Sequence, residues 1–166
     1  MFRPFADWLS ATQLSLALQK AAWVVPTSQS VHIVCVSVVF ASSLMINARV
    51  FGIGKSGRSV SQLTSSLVPW MWRSLILLLI TGSIQTVAEP VRQFVAPVFW
   101  AKMAMIVLAA SLTAAFARAV RADAARWDAP ASRPAAAKAF AVASCVLWVA
   151  IIVCGRFIGY TYSFYL

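Results

Sequence analysis

Four apolar runs, each long enough to cross a bilayer, limit this chain more than any other feature. The first reads VHIVCVSVVFASSLMINARVF, residues 31–51, and carries no charge before Arg49. About twenty helical residues span a hydrocarbon core roughly 30 Å thick. The run is apolar round its whole circumference, whereas a soluble helix keeps a polar face. Three more runs repeat the pattern. The expected fold is therefore all-α: a four-helix transmembrane bundle, one integral membrane domain over residues 1–166, with spans near 28–50, 66–88, 97–120 and 137–160. Composition agrees, with 61% of residues hydrophobic and 11% charged, against about 25% charged in soluble domains.

The segments between the spans are short. Residues 2–20, FRPFADWLSATQLSLALQK, have no continuous apolar stretch, which excludes a signal peptide. Phe2, Phe5, Trp8 and Leu9 recur at helical spacing with Leu16 further along the same side, so this segment is expected to be an N-terminal amphipathic helix lying in the interface. Pro26 is expected to break the chain, with Thr27 or Ser28 capping the first span. GIGKSGRSVSQLTSS has the composition of a plain connector. Pro69 is expected in the first turns of the second span, which Pro90 ends. The third span contains AASLTAAFA, small residues that admit a close neighbour. The chain finishes in GYTYSFYL, an aromatic tail suited to a membrane surface.

Charge gives an orientation. The net charge is +10, from fourteen Lys and Arg against four Asp and Glu. The basic residues lie mainly between apolar runs, which points to topology and away from nucleic acid. Arg49, Lys55 and Arg58 follow the first span; Arg118, Arg121, Arg126, Arg133 and Lys138 surround the third connector. Positive-inside bias makes both connectors cytoplasmic and puts both termini outside.

That orientation aligns four groups. His32 on the first span, Glu89 ending the second, Lys102 early in the third and Arg156 late in the fourth all fall in the outer third of the bundle. Charge at membrane depth costs ~2.5–3.5 kcal/mol per group and marks function by default. Singly, each has a plain structural role: Lys102 and Arg156 snorkelling, Glu89 in water, His32 bonded to a carbonyl. Together, two cations and one carboxylate form a ligand- or cofactor-binding pocket with excess positive charge. Such a pocket suits an anionic or quinone-like ligand better than a cation.

Metal chemistry is thinner. One histidine rules out bis-histidine haem b within the chain, leaving His32 with Met103 or Met105 as an axial pair. Copper would draw on His32 with Cys35 or Cys154, but no Met-rich or His-rich cluster accompanies them. Cys35, Cys145 and Cys154 otherwise read as small hydrophobes. There is no GxSxG and His32 has no triad set, so enzyme activity is not expected. The alternative to a ligand pocket is an accessory or scaffold subunit of a larger membrane complex, or a homo-oligomer, partnered by its small-residue and aromatic faces. At the inner side, Asn47, Arg49 and Arg73 read as headgroup anchors.

Several phrases point further: S-x-x-V-H-I-V in the first span with I-N-A-R-V-F-G at its end, W-x-W and T-G-S in the second, F-W-A-K-M opening the third, and G-R-F-I-G-Y closing the fourth. Over roughly residues 5–160 the chain resembles a family of uncharacterised bacterial four-span membrane proteins, distantly similar to the copper-resistance D membrane proteins. The resemblance implies a bacterial protein, for which the charge bias means a bacterial inner (plasma) membrane location with periplasmic termini, and it points to His32, Lys102 and Arg156 as motif positions. It also implies an aspartate where this chain has Asn47, so that a carboxylate–Arg49 pairing is missing here. It supplies no activity.

Overall fold

The computed structural model describes residues 2–53, 57–130 and 136–161. Lys55, Arg133 and residues 162–166 of the aromatic tail lie outside the described residues. The helices are α1 (Arg3–Ser10), α2 (Gln13–Lys20), α3 (Val24–Val50), α4 (Val60–Ala88), α5 (Pro90–Phe94), α6 (Pro97–Ala122), α7 (Ala124–Asp128) and α8 (Ala136–Thr161). The four long ones, α3, α4, α6 and α8, are each long and apolar enough to span a membrane.

Short connections make consecutive spans antiparallel, and they close into a ring in the order α3, α4, α6, α8. The α3–α4 seam is the most extensive and the α4–α6 seam the loosest. Val39, Ile46, Met71, Ala109, Trp148 and Ile151 fill the space between them. Ile33, Val34, Leu79, Val107 and Val146 stand exposed on the outside of the bundle. In water such a surface would aggregate; in a bilayer it meets its own kind. The chain is a membrane protein. At the end carrying the α3–α4 and α6–α8 connections, Phe116 stacks on Phe140 at 4.5 Å and meets the edge of Trp127 at 5.0 Å.

Three boundaries differ from those expected of the sequence. Pro26 does not break the chain. α3 starts at Val24 and takes Pro26 into its first turn, where a missing N–H leaves no helical bond unmade. Ser28 then lies inside the helix and turns to a neighbour instead of capping. α4 starts at Val60, so half of the serine-rich connector is helical. Ser59 and Gln62 close a capping box: Ser59 Oγ accepts from the Gln62 amide at 3.2 Å, and Gln62 Oε1 accepts from the Ser59 amide at 3.0 Å. Pro69 is consequently deep inside α4, not in its first turns. Third, residues 2–20 form two helices. Thr12 interrupts them and caps α2, its hydroxyl accepting from the Ser15 amide at 3.3 Å.

The N-terminal pair is pinned to the bundle. Fully buried Ser15 donates to the Val87 carbonyl at 2.7 Å and accepts from Gln19 at 2.9 Å. Phe2 stacks on Trp100 at 4.6 Å, and Phe5 meets Phe94 edge-on at 5.4 Å. Trp8, on the same helix, remains exposed. These helices cover the end of the bundle at which α1 begins and α8 finishes, called the terminal end below.

Candidate functional site

The site forms where α3 crosses α4, about 10 Å below the terminal end by the rise of a helix. Ser28 and His32 are one turn apart on α3 and both face Thr81 of α4. Ser28 Oγ donates to the Thr81 carbonyl at 3.1 Å. His32 Nδ1 lies 2.8 Å from Thr81 Oγ1. The direction of that second bond follows from Thr81's other contact. Its hydroxyl sits 2.8 Å from the Leu77 carbonyl, which only accepts, so the single hydroxyl proton is spent there. The ring must therefore donate from Nδ1. In the neutral ring this leaves Nε2 as a bare acceptor.

Gly82 follows Thr81 and lies against the ring: a methyl group built there would stand 3.5 Å from His32 Cε1. Lys102 reaches in from α6. Its side chain runs beside Gly155 of α8, 3.9 Å from where a methyl would be, and its ammonium lies 5.6 Å from the centre of the Phe99 ring. Gln85, one turn beyond Thr81 on the same side of α4, has a buried Nε2 without a hydrogen-bond partner among the described residues.

Of the four residues singled out in the sequence, His32 packs against Thr81 and Gly82 of α4, and Lys102 lies beside Phe99 and Gly155. Glu89 pairs with Arg92 in the next turn at 2.6 Å. Arg156 lies exposed on α8, donating to the Tyr160 hydroxyl at 3.0 Å with its guanidinium 5.2 Å from that ring's centre. Cys35 is buried in the next turn of α3 after His32. Met103 packs with Ala96, Phe99 and Ile158, and Met105 against the main core. Among the described residues, no three of His, Cys, Asp and Glu gather where they would hold a metal ion.

A family model, described as a family of unknown function (DUF6644), matches residues 5–161. The chain belongs to this family. No curated protein and no solved structure matches it.

In this DUF6644 chain four of the phrases that carried the resemblance meet in two pairs, one across α3 and α4 and one across α6 and α8. Ser28 and His32 come from S-x-x-V-H, Thr81 and Gly82 from T-G-S, Phe99 and Lys102 from F-W-A-K-M, and Gly155 from G-R-F-I-G-Y. The roles of Ser28, Thr81 and Gln85 are missing from the sequence reading. T-G-S was the available signal, since it places a hydroxyl beside a glycine directly after the run LILLLI.

A second polar group joins α3 to α8 nearer the other end. Asn47 Nδ2 donates to Ser43 Oγ at 3.2 Å and to Cys145 Sγ at 3.2 Å, and Ser43 meets Ser144 at 3.0 Å. A void of 10 Å³ adjoins them, lined also by Thr113 and Met71, about the room one water needs. A wider cavity of 230 Å³ opens among Ser61, Gln62, Ser65, Val120 and Arg121 at the start of α4.

Proposed function

We propose that this DUF6644 protein is a non-enzymatic protein of the bacterial inner membrane, with both termini in the periplasm, that binds a ligand with an anionic or quinone-like head in the outer half of its bundle. The observation that carries this reading is Lys102. Its ammonium lies in the terminal half of the bundle, 5.6 Å from the centre of the Phe99 ring, and the nearest carboxylate in level, Glu89, is held by Arg92. An unmatched charge at this depth costs ~2.5–3.5 kcal/mol. A negative or strongly accepting oxygen on a ligand would offset that cost. Gln85 Nε2 adds a second donor without an acceptor.

The test begins with purification in mild detergent, solvent extraction and mass spectrometry of what is released. Lys102→Ala and His32→Ala should each lower the bound ligand several-fold while circular dichroism keeps its helical signal. Equal ligand content in both variants and the wild type removes the reading. A protein empty of small molecules but carrying a stoichiometric partner subunit would make it an accessory subunit instead.

One observation favours a second reading, in which His32 holds haem b or copper. Metal-ligating histidines are held by a hydrogen bond at their other nitrogen, as Thr81 holds His32 at Nδ1. An absorption spectrum separates the two: a Soret band supports haem, and copper by elemental analysis without such a band supports copper.

A further inference from the structure

We infer that the void beside Asn47 is a binding site for one ordered water molecule, and that this water ties α6 to the seam between α3 and α8. The site is independent of the ligand reading at the terminal end. Ser43, Asn47, Thr113 and Ser144 all line the void, and each is more than nine-tenths buried. The bonds these residues make among the described residues leave capacity of both kinds. Asn47 bonds to Ser43 and Cys145 through Nδ2, which leaves its carbonyl Oδ1 to accept. Thr113 spends its proton on the Ala109 carbonyl at 2.8 Å and keeps a lone pair to offer. Ser43 and Ser144 share one bond at 3.0 Å, so whichever donates, the other's proton is still to be placed. Two acceptors and one donor are the complement of a water molecule, which gives two protons and takes one.

Size and surroundings leave water as the occupant. At 10 Å³ the void admits one water and nothing larger. Ile46, Met71, Phe116 and Phe140 complete its wall and bring no hydrogen-bond donor, and Phe116 and Phe140 are stacked on each other. No carboxylate lines it, which disfavours a metal cation. Nor can a bilayer stand in: a buried amide oxygen among apolar groups is costly without a partner, and lipid tails offer none. Three bonds is also the usual number for a buried water. The direct hydrogen bonds here join α3 to α8 alone. With the water in place, Thr113 brings α6 into the same network.

The test is a crystal structure of the intact protein grown from lipid, at a resolution that shows ordered water. The wild type should carry one density peak about 2.7–3.2 Å from Asn47 Oδ1, Thr113 Oγ1 and one of the two serine oxygens. Thr113→Val keeps the shape of the side chain and removes its oxygen. The peak should then fade, and the thermal midpoint in detergent should fall by about 2–4 °C. Thr113→Ser should retain the peak. If Thr113→Val does not fold, Ser144→Ala, which takes away one hydroxyl of the serine pair, should weaken the peak instead. A wild-type void without density overturns the inference. So does a midpoint in Thr113→Val equal to or above that of the wild type, because exchanging an oxygen for a methyl in a dry void leaves nothing unmatched. A peak that appears in sodium chloride and not in choline chloride would make the occupant a cation and equally overturn it.

Discussion

Asp128 shows how much one side chain holds at the connector end. Its carboxylate accepts from the Ser61 amide at 2.9 Å and from the Ser61 hydroxyl at 2.6 Å, across a sequence gap that joins α7 to the first turn of α4. A negative charge at a helix start also meets the positive end of the helix dipole. Asp128→Ala should therefore destabilise the protein by about 1–3 kcal/mol, read as a lowered thermal midpoint in detergent. Asp128→Asn, which keeps an acceptor but loses the charge, should cost less. Equal midpoints for wild type and Asp128→Ala would show that the contact contributes nothing net. Ser15 at the terminal end is a neutral counterpart. Ser15 is fully buried and donates to the Val87 carbonyl, so Ser15→Ala should cost about 1 kcal/mol and loosen the N-terminal helices, visible as faster hydrogen exchange there.

At the scale of the element, α4 carries the lesson about what a sequence shows. Its middle was legible because SLILLLI allows nothing but burial or lipid. Its start was hidden by composition: serines and glycines suggest a loop, while Ser59 and Gln62 spell a capping box three residues apart. Ser59→Ala should cost about 0.5–2 kcal/mol and raise exchange in the first turn of α4 alone. Uniform exchange along α4 in that variant would contradict the cap. The break at Thr12 was missed for the same reason, since the apolar spacing of Phe2, Phe5 and Trp8 continues in Leu16 while the cap interrupts the backbone between them. Helix counting gives the depth of His32 and of Lys102, because antiparallel spans fix it. The partners Thr81 and Gln85 depend on which way each helix is rotated, and spans that are apolar all round carry little of that information. The same rotation sends Arg156 outward and leaves Glu89 to Arg92.

At the scale of the molecule, the bundle has two unlike ends, and the difference sets which compartment the His32–Lys102 site faces. The end with the connectors carries Arg49, Arg58, Arg118, Arg121, Arg126 and Lys138; the terminal end carries Arg3, Lys20 and Arg92, the last paired with Glu89. Trp8, Trp23 and Trp100 are exposed at the terminal end, as residues at a bilayer surface are. Positive-inside bias then predicts periplasmic termini. Alkaline phosphatase fused after Leu166 should be active in intact bacteria, and the same enzyme inserted at Ala124 inactive. The bias acts through Lys and Arg and hardly through acids, so changing Arg49, Arg58, Arg121 and Arg126 together to Gln should give a mixed population with part of the chain inverted. Asp123→Asn, at the same end, should leave orientation unchanged. Phosphatase activity at Ala124 in the unaltered chain would turn the bundle over, place the His32–Lys102 site on the cytoplasmic side, and require its ligand to come from there.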